Sequence, residues 1–168
     1  MDDMYRSLSS NDLLSYIPDI PIYTYRDIKR MTTLPQTPFI ILYEQLKGLG
    51  HWICVLHTPE GIEHFDSYGL KPDDEIKFTK KINRESLGLD HTYLTKLLIN
   101  SGQNINYSKA KLQGPPPIAT CGYHVLTRLS FPNLGSDEYE RFIKKLCKVF
   151  QSDADTMVIN IVKLLKSI

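Results

Sequence analysis

The sequence predicts an α+β domain, a central and mainly antiparallel sheet with helices packed around it. Three observations predict it. The run "PFIILYEQL" is apolar over a strand's length, and two more strand-like segments follow on either side of Pro59, Glu60 and Gly61. Helix-capping residues stand before several apolar-periodic stretches. The 168 residues hold no internal repeat, low-complexity tract or evident linker, so a single domain over 1–168 with a substantial core is expected.

The elements follow in order. Ser9 or Ser10 caps a short helix through "NDLLSYI", which Pro18 ends. Thr24 with Asp27 resembles a capping box for "YRDIKRM". "PFIILYEQL" reads as a buried strand, and "GHWICVLHTPEGIEHFDSYG" as two strands joined by a turn. Residues 71–89 are polar and charged without clear period, a loop with a short helix. Asp90 is read as the cap of "HTYLTKLLIN", which Gly102 terminates, and "INYSKAKLQ" as a further strand ending at Gln113. Thr120 caps a helix through "CGYHVLTRLSF", Ser136 caps "DEYERFIKKLCKVF", and a last helix runs from about Asp155.

Charge and cysteine content narrow the setting. Twenty basic and 19 acidic side chains leave a net charge of +1, so no global field draws the chain to nucleic acid or anionic membrane. The basic clusters Lys77, Lys80, Lys81 and Arg84, and Arg141, Lys144, Lys145 and Lys148, read as solvated faces. Cys54, Cys121 and Cys147 are odd in number and irregularly spaced, which points to a reducing compartment. The opening residues lack the apolar core of a secretory signal, and no run approaches a membrane span. A soluble monomer inside the cell is the expectation.

"KLQGPPPIATCGYH" is the stretch that carries chemistry. Pro115, Pro116 and Pro117 make a stiff connector between Gln113 and Cys121. With Thr120 as cap, Cys121 sits in the first helical turn, where free N–H groups and the helix dipole favour a thiolate. Taken alone, a cysteine before a glycine is as well explained by packing. A nucleophile also needs a base, and the base an orienting acceptor. If Pro59 and Glu60 form a two-residue loop, residues whose numbers sum to 119 lie opposite. His51 and Asp66 then become diagonal neighbours on one face. A four-residue loop keeps this parity and a three-residue loop destroys it.

The other histidines fit that frame less well. His64 lies opposite Val55 with no acidic diagonal partner, His57 is at the turn, and His91 follows a helix cap. These read as packing or surface residues. Cys54 with His57 and Cys121 with His124 have the C-x-x-H spacing of zinc sites. On a strand, residues three apart face opposite ways, so the first pair cannot share an ion, and no metal or cofactor is expected. Gln113 has the amide an oxyanion requires, to be joined by the backbone N–H of Cys121.

"GHW" at 50–52, "FDSYG" at 65–69 and "LQGPPPIATCG" at 112–122 together resemble the adenovirus-type cysteine proteases (adenain-like) and their SUMO and ubiquitin-like protease relatives. The resemblance spans roughly residues 38–131 and keeps the chain order His, Asp, Gln, Cys. It implies a papain-like core with the nucleophile at a helix N-terminus. It implies Cys121 as nucleophile, His51 as base, Asp66 as orienter and Gln113 in the oxyanion hole. Trp52 and Gly50 flank the catalytic histidine as in the family, and Gly122 allows close approach after the nucleophile. Adenains commonly carry glutamate where this chain has Asp66, as the SUMO-protease branch does.

Three functions stay open at this point. The first is a viral maturation protease that cuts Gly-Gly or Gly-X sites in structural precursors, in the host cytoplasm or nucleus or packaged in the virion. The second is a deubiquitinase or SUMO-deconjugating protease acting on host conjugates. The third is a non-catalytic binding module that keeps the fold. The resemblance also brings activation by a disulfide-linked peptide or by DNA. Cys54 within a strand, Cys147 within a helix and a near-neutral charge give neither any support.

Overall fold

The alternation of side chains along the central strand explains most of the architecture. The computed structural model describes residues 2–168. In β2 (Phe39–Leu46), Ile40 and Leu42 join one hydrophobic cluster, while Phe39, Ile41 and Tyr43 join another on the opposite face. A strand covered on both faces reads as an unbroken apolar run, because neither set of side chains meets water. Burying each such side chain contributes about 1.5–3 kcal/mol. β3 (Leu49–Thr58) repeats the pattern, with Trp52, Cys54 and Leu56 on the first face and Ile53 and Val55 on the second.

The sheet is mixed, in the order β1-β2-β3-β4-β5. β2 and β3, and β3 and β4 (Gly61–Phe65), are antiparallel. The edge strands β1 (Ile22–Thr24) and β5 (Ile105–Tyr107) pair in parallel with β2 and β4. The expectation of a mainly antiparallel sheet holds for the centre alone. Parallel edges need long crossovers, which residues 25–38 and 66–104 supply. β5 is also shorter than the strand expected over "INYSKAKLQ", and Gln113 lies in the irregular chain beyond it.

The helices lie on both faces. α2 (Tyr25–Arg30) and α4 (Tyr93–Asn100) give Tyr25, Ile28, Leu94, Leu97 and Leu98 to the second cluster. α1 (Ser10–Tyr16), α5 (Cys121–Ser130), α6 (Ser136–Phe150) and α7 (Ala154–Ser167) cover the first. A four-residue α3 (Lys81–Arg84) lies in the polar region 71–89. Ser9 caps α1 in a box with Asp12, and Thr24 and Asp27 form the second expected box.

Two caps differ from expectation, and a third was not assigned. Asp90 pairs with Lys29 at 3.5 Å, and the first turn of α4 is held by distant groups, Thr95 N–H donating to Asp73 at 2.7 Å and Leu94 N–H to the Tyr25 hydroxyl at 3.2 Å. Gly135 rather than Ser136 occupies the cap of α6, its N–H donating to Glu138 at 3.2 Å. Asp153 caps α7, accepting from Thr156 N–H at 2.8 Å, which frees Asp155 for another task. In each case the residue type fits a cap, and tertiary packing decided which candidate was used.

α5 is fixed to the sheet by a buried ion pair. Arg128 donates to Glu63 of β4 at 2.5 Å and to the carbonyls of Phe131 and Leu134 at 2.7 and 2.8 Å, with its guanidinium 4.7 Å from the Tyr139 ring centroid. A charge taken out of water needs all of those partners. The pair locks the helix that begins at Cys121 onto the strand that ends beside Asp66.

Candidate active site

β3 and β4 pair in the register that places His51 near Asp66. Cys54 lies opposite Phe65, Val55 opposite His64 and Thr58 opposite Gly61, so Pro59 and Glu60 form a two-residue loop. β4 ends at Phe65, and the chain turns at once: Asp66 Oδ1 accepts the N–H of Tyr68 at 2.8 Å, and Gly69 N–H donates to the Asp66 carbonyl at 2.9 Å. Gly69 has φ +72°, and a Cβ there would come within 2.6 Å of the Lys109 carbonyl, so glycine is required. The turn aims the carboxylate at His51, whose Nε2 lies 2.8 Å from Asp66 Oδ1. Tyr68 stacks on the imidazole at 4.7 Å.

Cys121 lines the same cleft as His51 and acts on its ring. Burial alone would lower the His51 pKa. The Asp66 hydrogen bond and charge, with those of Cys121, outweigh burial and raise it well above the ordinary imidazole range. Asp66, though buried, is held below the usual carboxylate range by the same imidazole. Asp66 thus favours the protonated form of His51 in the cleft that Cys121 also lines.

Cys121 is the first residue of α5, with the N-terminal chain packed against it. Ala119 N–H donates to the Met4 carbonyl at 2.9 Å, and Trp52 Nε1 donates to the Leu8 carbonyl at 2.7 Å. A Cβ on Gly122 would lie 3.0 Å from the Leu8 side chain, so its smallness serves the N-terminal segment rather than a ligand. Trp52 is buried in the cluster beneath Cys121. Both stand behind the site, whereas Gly50 lines it.

The triple-proline connector is clamped at both ends. Leu112 and Gln113 donate their N–H groups to the Ser67 carbonyl at 2.8 and 3.0 Å. The Ser67 hydroxyl donates to Gln113 Oε1 at 2.6 Å, leaving Nε2 directed to the Ile118 carbonyl and the Tyr68 hydroxyl at 3.2 and 3.3 Å. Asp155 of α7 holds the far side. It accepts from Gly114 N–H at 2.9 Å, from the Thr120 hydroxyl, and pairs with His124 Nε2 at 3.0 Å. Thr120 stands at the cap position of α5, yet its hydroxyl is spent on Asp155. Sequence reading missed Asp155, because an aspartate near a helix start already had a local explanation.

A cleft of about 710 Å³ opens over these groups, lined by Cys121, His51, Gln113, Tyr68, Gly50 and Glu75 among others. Glu75 was also missed, since nothing in the acidic run "PDDE" distinguishes it. It lies in a 3₁₀ turn over Asp74–Phe78, 5% exposed, with Oε1 3.7 Å from His51 Nε2. The donor atoms of His51, Asp66 and Glu75 fall within 4.8 Å of one another. Cys121 lines the same cleft, so two carboxyls, an imidazole and a thiol stand together there. Neither C-x-x-H pair converges on an ion: Cys54 is in the core while His57 is exposed, and His124 is engaged by Asp155. His64 is 1% exposed and packs within the fold, and the side chain of His91 is 64% exposed.

No protein-family model matches the chain, and no solved structure does. The chain is similar to a curated protein, "Uncharacterized protein V9" of Sputnik virophage, at 28% identity over 160 residues, covering 90% of this chain and 91% of that protein. Among the described residues no helix is long and apolar enough to cross a membrane.

Proposed function

We propose that the chain is an adenain-like thiol peptidase with a Cys121–His51–Asp66 triad, a Gln113 oxyanion hole and a papain-like core. The observation that carries this is the imidazole of His51, bonded at 2.8 Å to Asp66 in a cleft that it shares with Cys121, the first residue of a helix. A helix N-terminus and an imidazolium both favour the thiolate that such chemistry uses.

In this reading His51 holds the proton that Cys121 gives up, and the sulfur attacks the scissile carbonyl carbon and forms the S–C bond. The carbonyl oxygen becomes an oxyanion facing the Cys121 N–H and the Gln113 amide, each supporting a charge absent from the ground state. Collapse breaks the C–N bond as His51 gives its proton to the leaving amine. Water, deprotonated by His51, then attacks the thioester, and the carboxylate product leaves with Cys121 restored.

Cleavage after Gly-Gly or Gly-X follows from the same resemblance, with a polypeptide as substrate. The similarity to a virophage protein favours maturation of viral structural precursors within the infected cell. A second reading, removal of ubiquitin or a SUMO-like modifier, draws on Leu46, Leu49 and Phe78, exposed by 59%, 60% and 55% near the cleft, which would suit a folded partner. The two are separated by kcat/KM on ubiquitin and SUMO carrying a C-terminal fluorophore against a short Gly-Gly peptide, with Cys121→Ala as blank. Preference for the folded modifiers by orders of magnitude assigns deconjugation. Equal cleavage or peptide-only cleavage assigns maturation, and no hydrolysis beyond the blank removes the peptidase reading.

A further inference from the structure

Glu75 is a buried carboxyl beside a triad that already has its acid. Its 3₁₀ turn is held from both ends. The preceding Asp73 receives the hydroxyl of Tyr43 at 2.9 Å and that of Thr95 at 2.6 Å, and the Thr79 hydroxyl donates to the Glu44 carbonyl at 3.3 Å. Glu75 Oε1 and Asp66 Oδ2 are both buried and without a hydrogen-bond partner. Two acceptor-rich groups left unpaired in one dry site are costly unless a proton is shared there.

We propose that Glu75 is a positioning residue for His51, a second carboxyl 3.7 Å from the ring nitrogen that Asp66 already holds, and that it sets how firmly the imidazole keeps its proton. The groups facing it are His51 from β3, Asp66 and Tyr68 from the turn after β4, and Lys77 from its own turn. Burial and the Asp66 charge raise its pKa to about 7, against the opposing pull of His51. Below that pH Glu75 is neutral and His51 is supported by Asp66 and Cys121 without it. Above it a second negative charge stands 3.7 Å from Nε2 and holds the imidazolium to higher pH. The use of this coupling in catalysis rests on the peptidase reading, whereas the coupling itself does not.

Glu75→Gln keeps the volume and a donor for Asp66 but cannot ionise. The test is the titration of His51 by NMR of ring-labelled histidine in a Cys121→Ala background, assigned by the resonance lost in His51→Asn. The His51 midpoint should fall by about one pH unit or more in Glu75→Gln, and partly recover in Glu75→Asp. In the otherwise native chain the alkaline limb of kcat/KM should move down by the same amount, with the acid limb in place because Glu75 is neutral there. An unchanged His51 midpoint in Glu75→Gln overturns the proposal, as does an equal shift in Glu75→Asp, which would mark a packing effect. A shifted midpoint in a chain that cleaves no peptide leaves the coupling standing and removes the peptidase reading.

Discussion

Ser67 holds Gln113 twice, by its hydroxyl to Oε1 at 2.6 Å and by its carbonyl to the backbone N–H at 3.0 Å. An amide can flip, and only one orientation offers N–H donors to an oxyanion. A serine one residue after Asp66 therefore ties Asp66 and Gln113 to a single turn.

Ser67→Ala frees the amide to flip while removing little volume. kcat/KM on a Gly-Gly peptide should fall about tenfold, against about 100- to 1,000-fold for Gln113→Ala, measured with thermal unfolding in parallel. An unchanged kcat/KM in Ser67→Ala would show that the orientation is set elsewhere.

Asp155→Ala should damage stability and rate together. It strands the Gly114 N–H, the Thr120 hydroxyl and His124 in a buried place, at a cost of about 2–4 kcal/mol in denaturant unfolding. Loosening Gly114 against Thr120 lets Gln113 and Cys121 drift apart, so acylation should slow even at temperatures where the variant is fully folded. Asp155→Asn, which retains one acceptor, should lose less of both.

The Arg128–Glu63 pair predicts a non-additive result. Glu63→Ala leaves a buried guanidinium without its carboxylate and should cost about 3–5 kcal/mol. Glu63→Leu combined with Arg128→Met should recover a large part of that loss, measured as a double-mutant cycle by urea unfolding.

Two histidines make stability depend on pH in opposite directions. His64 is buried with neither ring nitrogen bonded, and burial lowers its pKa below 6.5, only partly offset by Asp66 and Asp73. The unfolded chain thus takes up a proton that the folded chain refuses, so stability falls as pH drops below 6.5. His51 is raised instead, so its contribution is complete below its ordinary value and is lost as pH climbs through the folded one. His64→Leu should flatten the acid side of a stability profile and His51→Asn the alkaline side. The opposite assignment would refute both environments.

The sequence by itself determined most of the helices, the central strands and the parity that a two- or four-residue turn would give the hairpin. Ser9, Thr24 and Gly102 act locally, through bonds or backbone angles within a few residues, and their roles could be read without a fold. The two-residue turn fixed the parity of β3 and β4, and the turn after Phe65 completed the approach of Asp66 to His51. Tertiary structure decided the rest. Whether Asp90 or Asp73 would serve α4, whether Gln113 ended a strand, and whether Trp52 and Gly122 lined the cleft depended on which chains met in space. Glu75 and Asp155 stand 24 and 35 residues from partners they meet, His51 and Thr120, and those separations carry no periodic signal. Burial gave both carboxyls their roles, and burial is a property of the assembled core.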